Sequence, residues 1–197
     1  MNLIARCRKQ VIFSSIVLGL AMQVAAGNPI VANESLEPAP CSAPEFHQFD
    51  FWIGDWDVFD TGGSTPVAHV LVDRVVDGCA LREQYSGSDG HKGQSFSIYD
   101  ASRKVWHQTW VTNRGELLLI EGHFESGEMV MSGTWLRNGV PTQVRGTWKP
   151  VNGDVSEKAV TSIDGGKTWK PWFDLIFRPA RSASAAAPAQ KERGLKQ

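Results

Sequence analysis

Five histidines, His47, His69, His91, His107 and His123, are the side chains of this chain best suited to metal ligation or proton transfer. Zinc sites place their ligands at short fixed spacings, as in His-Glu-x-x-His, and no two of these histidines stand that way. Neither a metal nor another cofactor is therefore expected. The run Gly93-Gln94-Ser95-Phe96-Ser97 sets a serine near a glycine. It lacks the second glycine of a nucleophile elbow and leads into a strand pattern instead of a helix. No glycine loop suited to cradling phosphate occurs. Acid–base chemistry retains one candidate set: Glu121 and His123, two apart and so on one face of a strand, together with Glu157 and His107. A solvent-facing strand produces the same spacing.

The elements that must position these groups are strands. Turn signals recur at Asn113-Arg114-Gly115, Ser126-Gly127, Asn138-Gly139, Asn152-Gly153 and Asp164-Gly165-Gly166, with β-branched and aromatic runs between them. The spacing predicts about ten strands: 51–59, 67–75, 80–87, 94–99, 105–112, 116–124, 128–136, 142–148, 155–163 and 168–178. A short helical turn is expected around Pro44 to Phe49. So many consecutive strands must close or stack to hide their edges, which predicts an all-β fold. A single antiparallel up-and-down β-barrel is the first expectation and a sandwich the second.

The amino terminus reads as an export signal. Arg6, Arg8 and Lys9 precede an apolar run from Val11 to Val24, which ends in Ala25, Ala26 and Gly27. The run is shorter than the roughly 20 apolar residues of a membrane span. Expected organisation is a signal peptide at 1–26, with cleavage after Ala26 and Gly27 or Ala32 as alternatives. A linker at 27–44, a barrel domain at 45–179 and a disordered tail at 180–197 follow. Pro-Ala-Pro before Cys41 is not the sequence that precedes a lipidated cysteine. Cleavage removes Cys7 and three basic residues, taking the formal charge from −1 to −4. A mildly acidic, periplasmic or secreted protein is a poor partner for nucleic acid, and ATP or NAD is not expected outside the cytoplasm. Cys41 and Cys79 remain, and an oxidising compartment predicts that they pair.

The decapeptide Phe49-Asp50-Phe51-Trp52-Ile53-Gly54-Asp55-Trp56-Asp57-Val58 resembles the opening strand of a widespread group of bacterial secreted proteins sharing a domain of unknown function. That group has a calycin-like fold, the superfamily of lipocalins and fatty-acid-binding proteins. Tyr99-Asp100, Trp106 to Val111, Gly127 to Gly133, Arg145 to Trp148 and Ser162 to Trp169 resemble its later strands, in the same order. The resemblance implies that Gly54 permits a close backbone approach, and that Trp56 plugs the closed end of the barrel. It further implies that Arg178, on the last strand, stacks against that tryptophan. Ser156-Glu157-Lys158-Ala159-Val160 departs from the polar and aromatic run that such relatives carry. Some calycin-like barrels hold haem through a histidine near the last strands, but Trp172 to Phe177 contains none. Ser162-x-Asp164-x-Gly166-x-Thr168-Trp169 also fits the Asp-box of sialidase propellers. A propeller needs repeats, and this is a single copy, so Asp164 and Trp169 are assigned to a local turn.

A barrel of this kind presents alternate residues of each strand to its interior. Trp106, Gln108 and Trp110 share one face and are expected to bind ligand. Arg82, on a face with Gln84, and Arg145, beside Thr147, are the expected anchors for a ligand carboxylate, with Glu121 or Glu157 as internal partners. The leading expectation is an exported barrel that binds a small hydrophobic or amphipathic molecule. An isomerase, cyclase or lyase using a buried carboxylate–histidine pair is the first alternative. An envelope interaction module with a filled barrel is the second. Eight tryptophans in a small β domain are ordinarily core, and the run Leu117 to Ile120 is apolar on both faces, which would suit a homodimer.

Overall fold

The structure, a computed structural model, describes residues 39–180. The predicted signal peptide, most of the predicted linker and nearly all of the predicted tail lie outside the described residues. Ten strands follow two short 3-10 turns, Pro44–His47 and Asp50–Trp52. They are β1 (Gly54–Asp60), β2 (Ala68–Val75), β3 (Ala80–Gly87), β4 (Lys92–Asp100), β5 (Val105–Thr112), β6 (Leu117–Glu125), β7 (Glu128–Arg137), β8 (Val140–Val151), β9 (Asp154–Ser162) and β10 (Lys170–Pro179). Each pairs antiparallel with its neighbour in sequence, and β1 pairs with β10, so the sheet closes into an up-and-down barrel without a free edge.

Turn chemistry sets the register. Arg137 faces Val140 across Asn138-Gly139, and both turn residues have positive φ, 50° and 79°. That is the two-residue hairpin whose twist matches the strands, and asparagine followed by glycine is the pair that adopts it with least strain. Val151 and Asp154 meet in the same way across Asn152-Gly153. The first strand begins three residues later than the spacing predicted, because Asp50–Trp52 coils into a 3-10 turn and drives Phe49 and Trp52 beneath the barrel.

That segment closes one end. Phe49 stacks on Trp52 at 4.9 Å and meets Trp106 and Trp148 edge-on, both at 5.7 Å. The Trp56 indole N–H donates to the Trp52 carbonyl at 3.0 Å, and Trp56 lies over Gly54, where a Cβ would sit 2.6 Å from the ring. Two latches hold the plug: the Cys41–Cys79 disulfide, and Arg74, which pairs with Asp50 and donates to the Gly78 carbonyl at 2.6 Å. No helix among the described residues is long and apolar enough to cross a membrane.

Alternation along the strands separates core from surface. On β6, Leu118 and Ile120 point inward and are buried, whereas Leu117 and Leu119 are exposed. With Phe96 and Ile98 on β4 and Val111 on β5 they form an apolar strip on the outer wall.

Candidate functional site

The other end of the barrel opens into a cavity of about 410 Å³. Exposed Asp60, Arg114 and Arg137 stand at its mouth, and buried Gln108, Ile120 and Trp148 line its depth. The wall is mainly apolar: Leu118, Ile120, Val144, Ala159, Leu175 and Phe177 are inward-facing residues of β6, β8, β9 and β10. Trp148 also packs on Phe49 and Trp52, so it forms the floor between the plug and the empty space.

The polar groups of the interior cluster on adjacent strands. Glu83 on β3 faces Ser95 on β4, and the Ser95 hydroxyl donates to Glu83 Oε2 at 2.8 Å. Ser97, one step further along β4, faces Gln108 on β5 and accepts from its Nε2 at 3.0 Å. Both are cross-strand pairs in register, so the sheet itself sets the spacing. The side chain of Glu83 is the deepest charged group, with Glu83 only 7% exposed. Enclosure away from bulk water pushes its carboxyl up to about 7, against the partial relief of the Ser95 bond. Glu157 on β9 is half-buried and lines the same cavity. Desolvation, then the like charge of Glu83, raises its carboxyl well above the usual range, and the nearby Trp148 indole N–H offsets this only in part. That N–H, on a residue 3% exposed, has no hydrogen bond of normal geometry.

An aromatic group stands between these acids and the mouth. Tyr85 meets Trp110 edge-on at 5.9 Å, and His91 packs against both rings. Trp110 lies flat over Gly93, and no side chain longer than a hydrogen would leave the ring there. At the rim Arg137 stacks over Trp135 and Trp172, 5.4 and 5.7 Å from their ring centres, while Arg114 pairs with Asp89 at 2.7 Å.

Of the residues expected to bind ligand, Gln108 and Trp110 line the cavity and three do not. Trp106 belongs to the plug: it is buried against Phe49 and donates its indole N–H to Gln48 at 3.1 Å. Arg82 projects from the outer wall, where Asp73 lies directly across from it on β2 and accepts two hydrogen bonds, at 3.0 and 2.6 Å. Arg145 is also outside, its guanidinium 4.6 Å above the Trp169 ring. On both strands the face carrying the larger apolar residues wins the interior, Leu81 and Tyr85 on β3, and Val144 and Trp148 on β8. Each arginine is one residue out of step with that face.

The expected acid–base set divides likewise. His107 Nδ1 meets Glu121 Oε1 at 2.9 Å, but on the outer wall, beside Arg103, whose hydrogen bonds lower the Glu121 carboxyl. His123 is exposed on that same face. Only Glu157 of the four faces the interior. Arg178 stacks over Phe59 at 4.5 Å and not on Trp56. Its partner is outside because Asp57, Arg178's register neighbour, also faces out, one residue away from Trp56. Asp164 closes its turn locally: it accepts from the Lys167 and Thr168 amides and from the Thr168 hydroxyl, while Trp169 donates to the Gly166 carbonyl. No grouping of metal-ligating side chains occurs among the described residues.

Glu83 and Tyr85 were missed by sequence reasoning, and His91 was read only as one of five histidines without ligand spacing. The usable signal was Leu81-x-Glu83-x-Tyr85, an apolar–acid–aromatic face on the strand where Arg82 and Gln84 drew attention. Compared with protein-family models and with curated proteins, the chain matches none.

Proposed function

We propose that this protein is an exported, periplasmic or secreted barrel that binds a small, mostly apolar ligand in its interior. The observation that carries the proposal is the open cavity of about 410 Å³, a size within the range of small-molecule sites, with a predominantly apolar wall and few polar groups at its base. A barrel filled by its own side chains would leave no such space. The resemblance to calycin-like barrels supports the same reading, and the exposed apolar strip of β4 to β6 supports a homodimer.

A second reading draws on Glu83. A carboxyl brought to about 7 inside a cavity is poised to exchange a proton with whatever occupies it, which favours isomerase or lyase chemistry on the bound molecule. In that reading Glu83→Gln abolishes turnover and leaves binding intact.

Titration with the uncharged dye Nile red tests binding. The expected result is saturable, one-to-one fluorescence enhancement in the parent and its loss in Ala159→Phe, which puts a ring into the cavity. Arg82→Ala and Arg145→Ala should bind as the parent does, because both side chains are on the outer wall. Equal dye binding by Ala159→Phe would refute the interior site.

A further inference from the structure

Two acids are enclosed in one cavity, and neither is paired with a basic side chain among the described residues. Glu83 accepts a single hydrogen bond, from Ser95, and Glu157 none of normal geometry among the described residues. The lining holds four carboxyl groups, of Asp60, Glu83, Glu116 and Glu157, against two guanidiniums and the His91 imidazole, whose Nε2 lies 3.8 Å from Glu116 and pairs with neither Glu83 nor Glu157. Both guanidiniums are at the exposed rim and already occupied, Arg114 by Asp89 and Arg137 by the faces of Trp135 and Trp172. Burying an unpaired carboxylate is costly, and two like charges in one enclosure are costlier still. A neutral apolar ligand would leave that cost unrelieved. A ligand carboxylate would add a third negative group. A ligand ammonium would turn two unfavourable acids into charge-assisted hydrogen-bond acceptors, and the rings of Tyr85 and Trp110 beside them suit the flanks of a cation.

We infer that the cavity is selective for an apolar organic cation, an alkyl or arylalkyl amine, with its ammonium group held by Glu83 and Glu157 and its hydrocarbon part along the Leu118, Ile120 and Val144 wall. This rests on the interior-binding proposal above and specifies the ligand class. It reverses the polarity expected from the sequence, where arginines were to hold a carboxylate. The acids lie inward of the Tyr85 and Trp110 rings, so the ammonium passes those rings ahead of the apolar tail.

The test compares octylamine, octanol and octanoate in displacing Nile red from the full chain at pH 8, for the parent and for the double variant Glu83→Gln/Glu157→Gln. Octylamine should bind the parent about tenfold or more tightly than octanol, the ratio that one charge-assisted hydrogen bond in place of a neutral one supplies. Octanoate should bind more weakly than either. The double variant should still bind Nile red and octanol, with the preference for octylamine gone. A preference that survives in the double variant, or octylamine binding no tighter than octanol, or octylamine failing to displace dye that is bound, overturns the cation assignment and leaves interior binding standing. Failure of the parent to bind Nile red at all overturns both.

Discussion

Replacing Glu83 by Gln should stabilise this barrel more at pH 8 than at pH 5. In the parent, enclosure moves the carboxyl from an ordinary 4.5 to about 7. A carboxyl raised on folding favours the native state while it is protonated and costs stability as pH rises through the folded value, because the native form holds a proton that the unfolded chain has released. At about 1.4 kcal/mol for each unit, the parent loses roughly 2 to 3 kcal/mol between pH 5 and pH 8. Gln keeps an oxygen for the Ser95 hydroxyl and the same shape, yet it does not ionise, so the variant should not show this loss. The figure is a lower one, since removing the Glu83 charge also relieves Glu157. Urea denaturation followed by tryptophan fluorescence at the two pH values reads the effect as a shift in midpoint at constant slope. Comparing variant with parent cancels the groups common to both. A stability difference between parent and variant that is the same at pH 5 and pH 8 would mean that Glu83 is in contact with bulk water, and would refute the enclosed acid.

Two further predictions concern the plug. Cys41→Ser/Cys79→Ser opens a loop of 38 residues and should cost about 4 kcal/mol by chain entropy, measured in the same denaturation experiment, with reduction of the parent giving the same result. Trp56→Ala should cost roughly 3 to 5 kcal/mol, as for other buried tryptophan truncations. A Trp56→Ala variant as stable as the parent would show that the ring does not close the barrel end.

Turn residues and two-residue alternation sufficed to read the strands. Eight of the ten expected segments lie within two residues of the observed strand at both ends, leaving aside the first and the longer β8. The hairpins are local, and Asn138-Gly139 or Asn152-Gly153 specifies its turn through its own backbone preference. The disulfide was legible too, because the export expected from the amino terminus would leave two cysteines in an oxidising compartment, where they are expected to pair. Which face of each strand turns inward was a different matter. Alternation identifies two faces but does not choose between them where both carry apolar or charged residues, and a choice wrong by one residue exchanges Arg82 for Glu83. That choice belongs to the closed barrel as a whole. Leu81 and Tyr85 are taken inside with the inward residues of the other strands, Arg82 finds Asp73 on the neighbouring strand outside, and the acids left in the interior come together from β3 and β9, which are remote in sequence. Pattern along the chain determined the barrel; packing across it decided that the charged groups deep in its interior are carboxyls, with arginines in the lining only at the rim.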